Sequence, residues 1–66
     1  MFKNLNAEMA RENITIKGLS ERTGIKYPSL KNKMSGNTEF TLKEMLAVKI
    51  VFPTCTMDYL FASDKT

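Results

Sequence analysis

The 66-residue sequence has no His, no Trp, one Cys, two Pro and three Gly. Without His, imidazole acid–base catalysis and His-ligated metal sites are excluded. The lone Cys55 allows neither an internal disulfide nor a multi-cysteine zinc site, so the default expectation is a reducing, cytoplasmic setting. No apolar run approaches the roughly 20 residues of a membrane span. The opening residues Met-Phe-Lys-Asn-Leu-Asn-Ala-Glu lack the apolar core of a signal peptide. The seven carboxylates show no pairing suited to hydrolysis, and no Gly-rich loop could cradle a phosphate. An enzyme is therefore not expected, nor a cofactor, a metal, a membrane or a small-molecule ligand.

What is present is basic and unevenly placed. Ten Lys and Arg stand against seven Asp and Glu, a net charge of +3. Residues 1–33 carry seven basic and three acidic side chains, and residues 34–66 carry three and four. No acid lies between Glu21 and Glu39, a stretch that holds Arg22, Lys26, Lys31 and Lys33. A local basic field suits a polyanion, although a solvated basic surface would look the same. At 42% hydrophobic and 26% charged residues the composition is that of an ordinary globular chain.

Periodicity reads as short helices separated by turn signals. Phe2, Leu5 and Met9 share one helical face, which should fade near Glu12-Asn13. Thr15 is an N-cap for a second helix with an inner face of Ile16, Leu19, Ser20 and Thr23. Gly18 within it has no local explanation. Gly24 should end that helix in a left-handed cap, and Ile25 should return to the core. Tyr27-Pro28 reads as the start of a third helix, with Pro28 at the first helical position and Tyr27 extended before it. Leu30 and Met34 should face inward, and Gly36 should close the helix. Thr41-Leu42-Lys43-Glu44 has the capping-box pattern. It should open a fourth helix with an inner stripe of Leu42, Met45, Leu46 and Ile50, stopped by Pro53. Thr56 can cap a last turn directing Met57, Leu60 and Phe61 inward. The expectation is an all-α, compact bundle of about five short helices in one domain over residues 1–66, with 62–66 frayed.

The informative piece is the helix pair around Gly24. A short helix, a tight glycine turn and a second helix make a helix-turn-helix, which needs a small residue, a left-handed residue and apolar pins. Ser20, Gly24, and Leu19 with Ile25 and Leu30 occur in that order, and a basic helix follows. If Leu30 and Met34 face the core, then Pro28, Lys31, Asn32 and Ser35 face outward, with Ser29 at the boundary. By base-edge chemistry Asn32 suits adenine, Lys31 guanine, and Tyr27 with Pro28 a thymine methyl. Tyr27, Pro28, Ser29, Lys31, Asn32 and Ser35 are thus candidate base contacts. Lys26, Lys33 and Asn37, with Thr15 and Lys17 at the start of the second helix, are candidate phosphate contacts. Tyr27 can equally pack on the protein, Lys33 can be an ordinary solvated lysine, and Asn37 only a turn residue.

Residues 15–61 resemble the lambda-repressor-like, Cro/repressor-type (XRE) DNA-binding domain. The stretch Thr-Ile-Lys-Gly-Leu-Ser-Glu-Arg-Thr-Gly-Ile-Lys-Tyr-Pro-Ser-Leu-Lys-Asn-Lys-Met-Ser-Gly carries the resemblance. The run Ile-Val-Phe-Pro-Thr-Cys-Thr-Met-Asp-Tyr-Leu-Phe is similar to short phage-type regulators. The resemblance implies a five-helix fold, operator DNA binding and often a homodimer. Ile16 stands where relatives often carry Gln, and Lys33 where they often carry an apolar residue. A repressor or Cro-like regulator on palindromic double-stranded DNA is the first expectation. Its homodimer interface is expected at Phe52, Met57, Tyr59 and Phe61, since these aromatic rings exceed the apparent need of so thin a core. The alternative is a helical protein-interaction module such as a phage adaptor or an antitoxin half.

Overall fold

Left-handed residues end the first three helices of the chain. In the computed structural model, which describes residues 2–62, helix α1 (Lys3–Glu12) ends where Asn13 takes φ 60°. Helix α2 (Ile16–Thr23) ends at Gly24 with φ 80°, and α3 (Tyr27–Ser35) at Gly36 with φ 91°. Helix α4 (Leu42–Val51) and the one-turn α5 (Met57–Leu60) complete an all-α architecture of five helices among the described residues. The fraying expected for residues 62–66 lies, past Ala62, outside them.

Side chains that satisfy free amides set the helix starts. Thr15 Oγ1 accepts from Gly18 N at 3.0 Å, and Thr56 Oγ1 from Tyr59 N at 3.1 Å. At α4 the capping box is complete. Thr41 Oγ1 accepts from Glu44 N at 3.1 Å, while Glu44 Oε1 accepts from Thr41 N at 2.9 Å. Helix α3 begins one residue earlier than the proline implies, with Lys26 at the cap and Tyr27 and Pro28 filling the first two helical positions. The reason is that the first-turn amides have no intrahelical acceptor, so Pro28 costs nothing at the second position either.

One hydrophobic cluster joins all five helices. Leu5, Met9, Leu19, Ile25, Leu30, Met34, Phe40, Val48, Phe52 and Leu60 are buried in it. Helix α2 packs on α3 and α4, and α5 packs on α1 and α4. Phe40, which belongs to no helix, is held among Phe2 and Phe61 by edge-to-face contacts, with ring centroids 5.1–5.7 Å apart.

Helix α4 departs from expectation. Leu42, Leu46 and Ile50 are 67%, 48% and 77% exposed, while Val48 is fully buried and Met45 packs on the core from one side. The inner stripe is therefore not Leu42–Met45–Leu46–Ile50. Apolar side chains surround this helix, so periodicity alone could not choose its inner face. Contact with α2 and α5 chose it.

Candidate nucleic-acid interface

The turn between α2 and α3 is braced by short-range hydrogen bonds. Ser20 Oγ donates to the Ile25 carbonyl, and Thr23 Oγ1 donates to the Leu19 carbonyl at 2.8 Å while accepting from Ile25 N at 3.3 Å. Gly24 N donates to Ser20 O at 2.9 Å, and Gly24 supplies the positive φ that an L side chain resists. Ser20 thus does more than leave room: its hydroxyl staples the second helix to the return strand of the turn. With Leu19 and Leu30 fully buried on either side, the orientation of α3 is set by packing.

On α3, Leu30 and Met34 are buried as expected, and Pro28, Ser29, Lys31, Asn32 and Ser35 are all exposed. At about 100° per residue, Pro28, Asn32 and Ser35 lie opposite the buried pair, with Lys31 and Ser29 on the two flanks. Ser35 Oγ donates to the Asn32 backbone carbonyl at 3.1 Å. Tyr27 is 45% exposed at the start of the helix. Lys26 and Ser29 line an open cleft of about 470 Å³ with Thr23, Gly24, Ile25, Lys43, Glu44 and Ala47. Lys43 was not singled out from the sequence, because it lies outside the basic stretch and only folding brings it there. Thr15 and Lys17 are exposed at the start of α2, although the Thr15 hydroxyl oxygen is already a cap acceptor. Asn37 is exposed, and its N–H closes α3 on Asn32 O at 2.9 Å.

Two expected roles do not fit the structure. Lys33 was expected to reach a phosphate, but its ammonium sits 3.4 Å from Glu44 Oε1 and donates to Glu39 O at 3.3 Å. With its side chain only 14% exposed, it ties α3 to the start of α4. Glu44, held chiefly by the Thr41 amide and further by Lys33, keeps its carboxyl below the ordinary 4.5. Phe52, expected at a dimer interface, is 3% exposed and part of the core, beyond reach of any partner. Phe61 is partly buried against Phe2 and Phe40, and Met57 is partly buried too. Of the rings that looked surplus, Phe61 is taken up by a cluster with Phe2 and Phe40 that the sequence did not reveal, because Phe40 and Phe61 are 21 positions apart.

Tyr59 remains at the surface but is tied to α1. Its hydroxyl donates to Glu8 Oε2 at 2.9 Å, and its carbonyl accepts from Asn4 Nδ2 at 2.9 Å. Glu8 is only 7% exposed and also pairs with Arg11 at 3.6 Å. The hydrogen bond to Glu8, with desolvation, raises the Tyr59 phenol above its ordinary 10.0. An acid at this point of the α1 face carries no sequence signal; only the distant Tyr59 explains it. Among the described residues no group of His, Cys, Asp or Glu could hold a metal ion, and no helix is long and apolar enough to cross a membrane.

No family model, curated protein or solved structure matches the chain.

Proposed function

We propose that this protein is a sequence-specific DNA-binding regulator that places α3 in the major groove. One observation carries the reading. An exposed ridge of Pro28, Lys31, Asn32 and Ser35 stands on a short helix whose reverse side, Leu30 and Met34, is locked into the core. A major-groove reader needs such a helix, rigid from behind and polar in front. Asn32 presents an amide suited to adenine and Lys31 a cation suited to guanine, and Tyr27 with Pro28 offers apolar surface suited to a thymine methyl. Lys17, Lys26, Thr15 and Asn37 fit phosphate contacts, which set register without reading sequence. The resemblance of residues 15–61 to Cro/repressor-type domains agrees with this reading, as does the order of five helices. The free thiol of Cys55 suits a reducing bacterial cytoplasm.

Selection from a randomised duplex pool with purified protein tests the proposal directly. We expect one enriched motif. Asn32→Ala and Lys31→Ala should each relax preference at one position, at a cost of about 1–3 kcal/mol. Selected-site binding unchanged by both substitutions would remove α3 as the reading head. The second reading, a module that docks on a foreign protein, draws on the exposed apolar side of α4. It predicts no enrichment from any pool.

A further inference from the structure

Helices α3 and α4 both pack on α2, and among the described residues they do not pack on each other. The gap left between them is the open cleft of about 470 Å³. The end of α2 lines it from behind, Lys26 and Ser29 from the α3 side, and Lys43 and Glu44 from the α4 side. Lys33, one turn beyond Ser29 on the same flank of α3, reaches across to Glu44 at 3.4 Å.

Some polar groups of the cleft are already satisfied and others are not. Thr23 Oγ1 is engaged with Leu19 O at 2.8 Å and with Ile25 N at 3.3 Å. Glu44 accepts from Thr41 N at 2.9 Å, and its charge is matched by Lys33. Lys26 and Lys43 enter no ion pair among the described residues, and the exposed Ser29 hydroxyl takes no partner there. Two uncompensated cations and a hydroxyl therefore line one opening from its two sides, and a negatively charged ligand answers them.

We propose that this cleft is a phosphate-binding site, with Lys26 and Ser29 holding the group from one side and Lys43 from the other, and that a backbone phosphate fills it in the DNA complex. The oxygens of a phosphate point tetrahedrally and meet donors on both walls at once, which the two coplanar oxygens of a carboxylate do not. The cleft far exceeds the roughly 30 Å³ of a water molecule, so the phosphate enters as part of a longer molecule. A helix about 10–12 Å across fills a major groove about 12 Å wide, which puts a sugar-phosphate wall along each of its flanks. With Asn32 toward the bases, the flank of Ser29 and Lys33 is the one that faces α4. The wall on that side runs along the cleft. Ser29 then serves the backbone in place of a base edge, and Lys43 joins the phosphate contacts. This placement rests on the DNA-binding reading; the phosphate site does not.

The test begins with the whole chain and no DNA. Titration with inorganic phosphate at constant ionic strength should give saturable amide shifts in NMR spectra at Ser29 and Lys43, with Lys3 and Lys49 unmoved. Lys43→Ala, an exposed change to a strong helix former, should weaken that binding about fivefold with the melting curve unchanged, and Lys43→Arg should restore it. On a duplex, Lys43→Ala should weaken selected and unselected sequences alike and lower the salt slope by about one, whereas Lys49→Ala should do neither. Phosphate shifts that do not saturate, or equal effects of Lys43→Ala and Lys49→Ala on duplex binding, would overturn the proposal. Saturable phosphate binding that Lys43→Ala weakens, in a protein that selects no duplex, would keep the site, assign it to a free phosphorylated ligand and remove the DNA-binding reading instead.

Discussion

Glu8 shows how much a single residue depends on partners far along the chain. A carboxylate this buried is tolerated only when its oxygens are engaged, and Tyr59 and Arg11 engage one of them. The pair joins α1 to α5, elements that meet at opposite ends of the described chain. Because the contact raises the phenol pKa, its contribution to stability is present below the ordinary value of 10.0. It is lost as pH rises through the higher folded value. In a Tyr27→Phe background, the ultraviolet absorbance titration of Tyr59 should therefore be displaced to the alkaline side. Tyr59→Phe should lower the melting temperature at neutral pH and leave Glu8 with Arg11 alone. Titration at the ordinary value would show that the hydrogen bond does not form.

At the scale of elements, local signals and packing divide the work between them. Caps and stops were legible from the sequence: Thr15, Thr41 and Thr56 start helices, and Gly24 and Gly36 end them. These depend on an amide and an oxygen a few residues apart, or on one backbone angle, and so are local. The face of α3 was legible as well, because Leu30 and Met34 are its two large aliphatic residues. The face of α4 was not, because Leu42, Leu46 and Ile50 compete with Met45, Val48 and Val51 on equal terms. Lys33 was misread for a related reason: its neighbours in sequence are basic, while its partner Glu44 lies eleven positions on. Lys33→Met, which keeps the buried stem, should change DNA affinity much less than Lys31→Ala does. It should cost at most about 1 kcal/mol of stability, the range for an exposed or partly exposed ion pair. The Glu44 contribution it removes is present above pH 4.5 and fades as pH falls through the lowered folded pKa. Acid unfolding of wild type and variant should therefore converge at low pH. A uniform, large loss of DNA affinity in Lys33→Met would return Lys33 to the phosphate-binding set.

For the whole molecule, size limits what one copy can do. A chain of 66 residues with extents of 30 × 26 × 20 Å offers few phosphate contacts from a single face. Binding should fall with salt, log K declining linearly against log salt at roughly 0.9 per phosphate neutralised, so that few contacts give one copy a modest slope. Lys17→Ala and Lys26→Ala should each reduce that slope by about one while leaving the selected motif unchanged. A salt-independent affinity would argue for an apolar protein partner in place of DNA. The sequence by itself determined the all-α class, the order of the helices, the threonine caps of α2, α4 and α5, the glycine ends of α2 and α3 and the outward side of α3, since each follows from spacing within a few residues. Only the tertiary structure decided which side of α4 is buried, where Lys33 and Tyr59 spend their polar groups, and that Phe52 is core. Those outcomes depend on contacts between residues distant in the chain, and no local pattern encodes which of several apolar or charged candidates will find its partner.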